Sequence, residues 1–211
     1  MRHKQGKLIV IDGIDQSGKK TQTQLLARKA RSLGYTCSIW SFPDYTTPLG
    51  RQLKNYLAGE NQFDFHTVHL LYAANKWERA SLIQNQIEHG RIVIINRYTP
   101  SNLAYGTSHG LMLNWLKSLE DELPRPDVVL ILDVPPKVSF GRKRQRRDVH
   151  EESLPYLTNV RIAYLHLAKK FHWKIVSGTK DPRAVHIEVW KRVLPIMPAR
   201  SRQSQSNLFE H

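Results

Sequence analysis

The chain has 211 residues, 40% hydrophobic and 24% charged, and its 32 Lys and Arg against 18 Asp and Glu give a formal net charge of +14. This composition excludes a disordered or collagen-like chain, and no apolar run approaches the roughly 18 residues that a helical membrane span needs. Cys37 is the only cysteine, which excludes an intrachain disulfide and a cysteine-held metal cluster. The basic excess calls for something anionic, whether nucleic acid, a site that gathers several phosphates, or simply water around a basic face.

The opening stretch MRHKQGKLIV passes from basic residues directly into a short apolar segment, without the long hydrophobic region of a secretory signal, so a cytosolic protein is expected. KLIVID (7 to 12) reads as a buried strand. GIDQSGKKTQ (13 to 22) follows it and fits the phosphate-binding pattern G-x-x-x-x-G-K-[ST], except that Lys20 stands where the pattern has a metal-binding hydroxyl. The helical spacing of Leu25, Leu26, Ala30 and Leu33, stopped by Gly34, puts the loop between strand and helix, the context the motif requires. Gly13, Ile14, Asp15, Gln16, Ser17, Gly18, Lys19, Lys20 and Thr21 are therefore candidate nucleotide-binding residues. Gly13 and Gly18 would let backbone amides turn inward, and Lys19 would reach the β- and γ-phosphates at the positive end of the helix.

TCSIWSF (36 to 42) reads as the second strand, with Cys37 as a buried free thiol. The longest helical pattern covers 65 to 89, capped by Asp64 and closed by Gly90. RIVIIN (91 to 96), DVVLILD (127 to 133) and WKIVS (173 to 177) are three further strands. Short Val- and Ile-rich runs that are apolar at consecutive positions predict a parallel sheet covered on both faces. Their alternation with helices predicts an α/β fold, a doubly wound five-stranded sheet, in one domain over residues 1–196. GRKRQRRDVHEE (141 to 152) is a dense charge run, and the polar tail at 197–211 is expected to be disordered. No histidine pair has zinc-helix spacing with a glutamate base, and His66 and His69 read as structural.

GIDQSGKKTQ, FPDYTTPLG (42 to 50), HLLYAANKWE (69 to 78) and NRYTPSNLAY (96 to 105) resemble, in order and spacing, the successive motifs of thymidylate kinases. LPRPDVVLILDV (123 to 134) fits the strand that comes next, so the resemblance covers about residues 7 to 192. It implies a P-loop kinase that passes the ATP γ-phosphoryl group to dTMP with Mg²⁺, works as a homodimer, and needs neither membrane nor nucleic acid. It further implies that Arg97 grips the acceptor phosphate, Tyr72 stacks on thymine and Lys76 meets a base carbonyl. Asp15 would accept a hydrogen bond from the sugar 3′-hydroxyl. Phe42, Pro43, Ser101, Asn102 and Tyr105 would line the nucleoside pocket, with Tyr105 where its bulk disfavours a ribose 2′-hydroxyl. The charge run falls where the family lid begins, about 141–152, making Arg144, Arg146 and Arg147 candidates for closing on the transferring phosphoryl. By the same likeness Arg142 packs on adenine, Lys180 belongs to a loop touching adenine, and Asp148 and Glu151 order the lid.

The residues support that chemistry on their own terms. Phosphoryl transfer needs substrates held in line and charge neutralised, which favours Lys and Arg over a nucleophile. Arg97 lies just past a parallel strand, where open α/β sheets bind ligands, and Tyr72 and Lys76 share one helix face. The chain departs from the family pattern at several points. Tyr45 replaces a frequent arginine, leaving Arg51 as a substitute, and Gln16 stands where some relatives carry a loop arginine. Asn96 replaces the usual aspartate, so no metal ligand is assigned. With Lys20, that change makes the metal surroundings about two charges more positive. The expectation is compensation, with Lys20 neutralising phosphate and Mg²⁺ held by nucleotide oxygens and water. A kinase for another nucleoside monophosphate and a non-catalytic nucleotide-binding regulator remain open alternatives.

Overall fold

A computed structural model of the protein describes residues 6–142 and 154–199. The strands are β1 (Lys7–Asp12), β2 (Cys37–Ser41), β3 (Ile92–Asn96), β4 (Val128–Asp133) and β5 (Lys174–Ser177). They form one sheet in the order β2-β3-β1-β4-β5, every pair parallel. All five predicted strands are present, four of them starting one residue later than the apolar runs suggest. Their registers run from Ile9 opposite Val128 and Ile94 in the centre to Asp133 opposite Ser177 at the edge.

Alternate residues of the central strands face two separate cores, as the two-residue strand period demands. Leu8, Val10, Val93, Ile95, Val129 and Ile131 pack beneath α3 (Phe65–Glu88), α4 (Thr99–Ser108) and α7 (Leu154–Lys170). Ile9, Ile11, Ile92, Ile94, Leu130 and Leu132 pack against α1 (Lys19–Ser32) and α8 (Pro182–Val193). The prediction of strands buried on both faces holds for β1, β3 and β4 only. The edge strands have one neighbour each, and within them only Cys37 of β2 and Val176 of β5 are buried. Cys37 is a free thiol whose pKa burial pushes up.

The long helix starts where the sequence predicts, with the Asp64 carboxylate accepting from the Thr67 amide at 3.1 Å. Gly34 and Gly90, just beyond α1 and α3, have positive φ and end those helices. A helix not anticipated, α2 (Pro48–Leu57), is announced by Thr47 as N-cap and Pro48 in the first turn. α5 (Leu113–Ser118) and α6 (Pro136–Arg142) complete the helices that bear on the site. After α8, Met197 packs against the second core and Pro198 accepts from the Tyr35 hydroxyl at 2.9 Å. The lid arginines Arg144, Arg146 and Arg147, with Asp148 and Glu151, lie outside the described residues, as does the tail from 200 onward.

Candidate active site

β1 delivers the phosphate loop to the carboxyl end of the sheet. Gly13 has φ +134°, and a Cβ there would stand 2.6 Å from the Leu132 carbonyl oxygen, so the sheet itself requires glycine at the turn. Asp12, fully buried, fixes the turn from below. It accepts hydrogen bonds from the Gly13, Tyr98 and Ser101 amides and from the Ser101 and Tyr164 hydroxyls. One carboxylate thus joins the phosphate loop to the NRYTPS segment. Lys19 is buried at the start of α1, its ammonium donating to the Gly13 and Ile14 carbonyls at 2.9 and 2.7 Å. These bonds curl the side chain into the loop, the space a phosphate chain would share.

Above the loop lies a cleft of about 1370 Å³, lined by Asp15 through Gln22 together with Asn96, Arg97, Arg142, Gly178, Lys180, Pro182 and Val185. Ser17, Gly18, Lys20 and Thr21 therefore face it, while Gly13 and Ile14 are buried beneath. Arg142 donates to the Gln16 and Gly178 carbonyls at 3.1 and 2.9 Å, clipping the loop to the segment after β5. The expected adenine contact thus has a second task attached, that of holding the two walls of the cleft together. Gln16 and Arg97 both adopt the left-handed backbone region, φ 57° and 61°. Non-glycine residues adopt this region uncommonly, and two of the three that do so among the described residues line this cleft.

The second cavity, of about 630 Å³, adjoins the first and is lined by all nine residues expected to bind the acceptor: Asp15, Phe42, Pro43, Tyr72, Lys76, Arg97, Ser101, Asn102 and Tyr105. Asp15 and Arg97 line both cavities and form an ion pair between them. Burial opposes ionisation of Asp15. The Arg97 and Lys19 charges and the 2.6 Å bond from the Tyr105 hydroxyl outweigh it and hold the carboxyl well below the usual carboxylate range. Burial and the Asp15 charge conversely push the Tyr105 phenol well up, so it stays a donor. Arg97 also contacts the Ser101 hydroxyl at 3.3 Å and lies over the Tyr105 ring at 5.5 Å.

Lys76 differs from the simple point charge its sequence position suggests. Its ammonium donates to the Tyr72 carbonyl at 3.0 Å and to Glu120 Oε1 at 2.7 Å, with both charged side chains almost completely buried. Desolvation pushes the Glu120 carboxyl up, against the pull of Lys76. No local signal identifies Glu120, which sits between the end of α5 and the LPRPDVVLILDV stretch. Asn75, Tyr45, Leu57, His69 and Tyr98 also line the cavity without having been singled out for it. Asn75 accepts from the Asp44 amide and donates to Thr47 Oγ1, docking the FPDYTT segment on α3. Arg51, the suggested substitute for the arginine missing at Tyr45, is exposed and directs its guanidinium to the Thr46 carbonyl at 3.1 Å. It lines neither cavity.

The described side chains that line the cleft suit anions better than a protein-held Mg²⁺. Mg²⁺ is normally bound through one or two carboxylates. Among the described residues Asp15 is the one acid lining the cleft, and it is engaged by Arg97 and Tyr105. Among the described residues no group of three His, Cys, Asp or Glu could hold a metal. Asn96 donates to Ser41 Oγ at 3.3 Å and keeps a buried Oδ1 with no partner among the described residues, as does the Ser17 hydroxyl. Two neutral oxygens and the exposed ammonium of Lys20 do not make a magnesium site.

Comparison with known proteins agrees with the geometry. Residues 11–189 match the family described as thymidylate kinase. A thymidylate kinase of Arabidopsis thaliana is 35% identical over 90% of this chain and 71% of its own length. One from Homo sapiens is 31% identical over 90% of both chains. A solved thymidylate kinase structure from Candida albicans superposes with a TM-score of 0.83 at 27% identity, covering 91% of this chain and 92% of that one. A phosphate loop and an acceptor cavity that meet at Asp15 and Arg97 are what such a likeness would require, and the chain belongs to the thymidylate kinase family.

Proposed function

We propose that the protein transfers the γ-phosphoryl group of ATP to the 5′-phosphate of dTMP, giving dTDP and ADP. The observation that carries this reading is the sharing of Asp15 and Arg97 by two adjoining cavities, one headed by a phosphate loop and the other lined by the aromatic and polar side chains of Phe42, Tyr72, Lys76, Asn102 and Tyr105. A γ-phosphate in the cleft and a 5′-phosphate in the cavity would face each other there, in line, with the Arg97 guanidinium between them to neutralise both. Lys19 would exchange its bonds to the Gly13 and Ile14 carbonyls for bonds to phosphate oxygens. Arg144, Arg146 and Arg147 would add the remaining positive charge from the lid.

At the other end of the cavity the Tyr72 ring offers a stacking face to the base, and the Lys76 ammonium has one N–H left for a base carbonyl after its bonds to Tyr72 and Glu120. The Tyr105 hydroxyl on Asp15 leaves a carboxylate braced toward the sugar 3′-hydroxyl and fills space beside it. ATP is the donor, and Mg²⁺ accompanying it would have to be held by phosphate oxygens and water, since the described residues offer it no unengaged carboxylate of their own. We further take the working unit to be a homodimer joined through α3. Leu70 and Trp77, seven residues apart on that helix, are 46% and 41% exposed. No helix among the described residues is long and apolar enough to cross a membrane.

The test is ADP release in a coupled assay with a panel of nucleoside monophosphates, with Mg²⁺ and with chelator. Turnover of dTMP ahead of dCMP, dAMP and dGMP is expected. No turnover of dTMP under any metal condition would sink the proposal and favour a regulator that binds nucleotide without catalysis.

A further inference from the structure

His69 is fully buried in the second turn of α3, lines the acceptor cavity, and has no part in the chemistry described so far. It sits in a continuous series of hydrogen bonds. Its Nδ1 lies 2.6 Å from Asn102 Oδ1, and its Nε2 lies 3.1 Å from His109 Nδ1. His109 Nε2 in turn is 2.7 Å from the Tyr156 hydroxyl at the start of α7. The His109 ring is stacked between Phe65 at 3.9 Å and Tyr156 at 5.1 Å, with interplanar angles of 6° and 12°.

The directions of the Asn102–His69 and His69–His109 bonds follow from the inner end of the series. Asn102 Nδ2 contacts Glu120 Oε1 at 2.9 Å and the His69 carbonyl at 3.3 Å, both of which can only accept while Glu120 is paired with Lys76. The amide nitrogen must therefore face them, and Oδ1 must face His69. His69 then carries its proton on Nδ1 and accepts at Nε2, because burial lowers its pKa to about 4 and keeps it neutral. His109 must therefore donate from Nδ1, and its Nε2 meets the Tyr156 hydroxyl. The alternative amide orientation would set oxygen against the Glu120 carboxylate and against a carbonyl.

We propose that His69, held by His109 and Tyr156, is a specificity-determining positioning residue that locks the Asn102 amide so that the base end of the cavity presents one fixed acceptor beside one fixed donor. Both hydrogens of Asn102 Nδ2 are committed, so its amide can offer a ligand only the second lone pair of Oδ1. Lys76 can offer only its third N–H. An acceptor beside a donor complements the N3–H and C4 carbonyl of a thymine or uracil ring. It opposes cytosine, whose N3 accepts and whose C4 amine donates. A buried polar pattern of this kind rejects the mismatched base because groups on both sides would stay unpaired. The inference rests on the acceptor reading above and adds the residue that gives that cavity its polarity.

Two measurements test it. Ring-nitrogen NMR on the unmodified protein at neutral pH should find His69 neutral with its proton on Nδ1, and a proton on His109 Nδ1; a His69 proton on Nε2 would overturn the series. Calorimetric binding of dTMP and dCMP to the wild-type protein, His69→Leu and His69→Asn reads the consequence. His69→Leu should cut the preference for dTMP by about tenfold, the scale of one lost hydrogen bond, mainly by weakening dTMP. His69→Asn, whose amide can donate near the position of Nδ1, should recover most of it. A preference unchanged in folded His69→Leu, or its absence in the wild-type protein, defeats the proposal. Selective binding of dTMP without phosphoryl transfer would leave His69 in its role and remove the kinase reading instead.

Discussion

Asp15 and Arg97 oppose each other where the two cavities meet, and each is anchored by something other than its partner. Asp15 takes the Tyr105 hydroxyl, while Arg97 is held in a left-handed backbone conformation two residues before the first turn of α4. Because the folded state depresses the Asp15 pKa, its pairing contributes stability that is present above the ordinary carboxyl range and disappears as pH falls toward the folded value. Arg97→Ala removes the larger of the two neighbouring charges that offset burial, so the Asp15 pKa rises. The acid limb of a denaturant-unfolding series should then begin at higher pH than in the wild-type protein. In kinetics the same variant should raise the KM for dTMP by at least about tenfold, a loss on the scale of one charge-assisted phosphate bond. A KM that stays put would take Arg97 out of the acceptor site, and an unmoved acid limb would mean Asp15 is held by Tyr105 and Lys19 alone.

The strand, loop and first turn of α1 form the element on which nucleotide binding depends, and here the chain departs from the usual P-loop. At Lys20 an exposed ammonium stands in place of a hydroxyl, in a cleft that also holds Lys19, Arg97, Arg142 and Lys180. With that much fixed positive charge, ATP without metal should bind the wild-type protein within about threefold of Mg·ATP. Lys20→Ser should separate the two affinities, with metal-free ATP losing about tenfold. Equal losses for both forms, measured by calorimetry, would mean that Lys20 has no bearing on how the metal is accommodated. The loop is legible in the sequence because its signals are local: a run of Val and Ile, two glycines, a lysine and the start of a helical pattern. The central strands are legible for the same reason, and the edge strands less so, because a neighbour on one side only leaves their outer residues in water. At the base end of the acceptor cavity, Lys76 and Asn102 can be picked out, but their surroundings cannot. Glu120 is 44 residues from Lys76 and His109 is 40 from His69, and only the folded sheet brings their helices together. His69 accordingly reads as structural in sequence and turns out to line the site. Lys76, which reads as a lone charge, is half of a buried pair.

For the molecule as a whole, the two faces of the sheet carry different burdens. The face under α1 and α8 closes a compact core of aliphatic side chains, whereas the face under α3, α4 and α7 contains the acceptor cavity and the polar groups that line it. α3, the longest helix among the described residues, packs on the second of these faces: His69, Tyr72, Asn75 and Lys76 turn inward, while Leu70, Trp77 and Leu82 are 41% or more exposed. Large apolar side chains held in water on a rigid helix cost hydration free energy, and covering them with the same helix of a second copy relieves it twice in one symmetric contact. Such a contact would also brace the inward face of α3, so assembly and acceptor binding would depend on the same element. Sedimentation of the full chain should therefore give a dimer. Leu70→Glu would bring a carboxylate from each copy into that apolar contact, and should give a folded monomer with weaker dTMP binding. A wild-type monomer at micromolar concentration would refute the α3 interface. A Leu70→Glu dimer would move the interface to another surface and free α3 from any role in assembly.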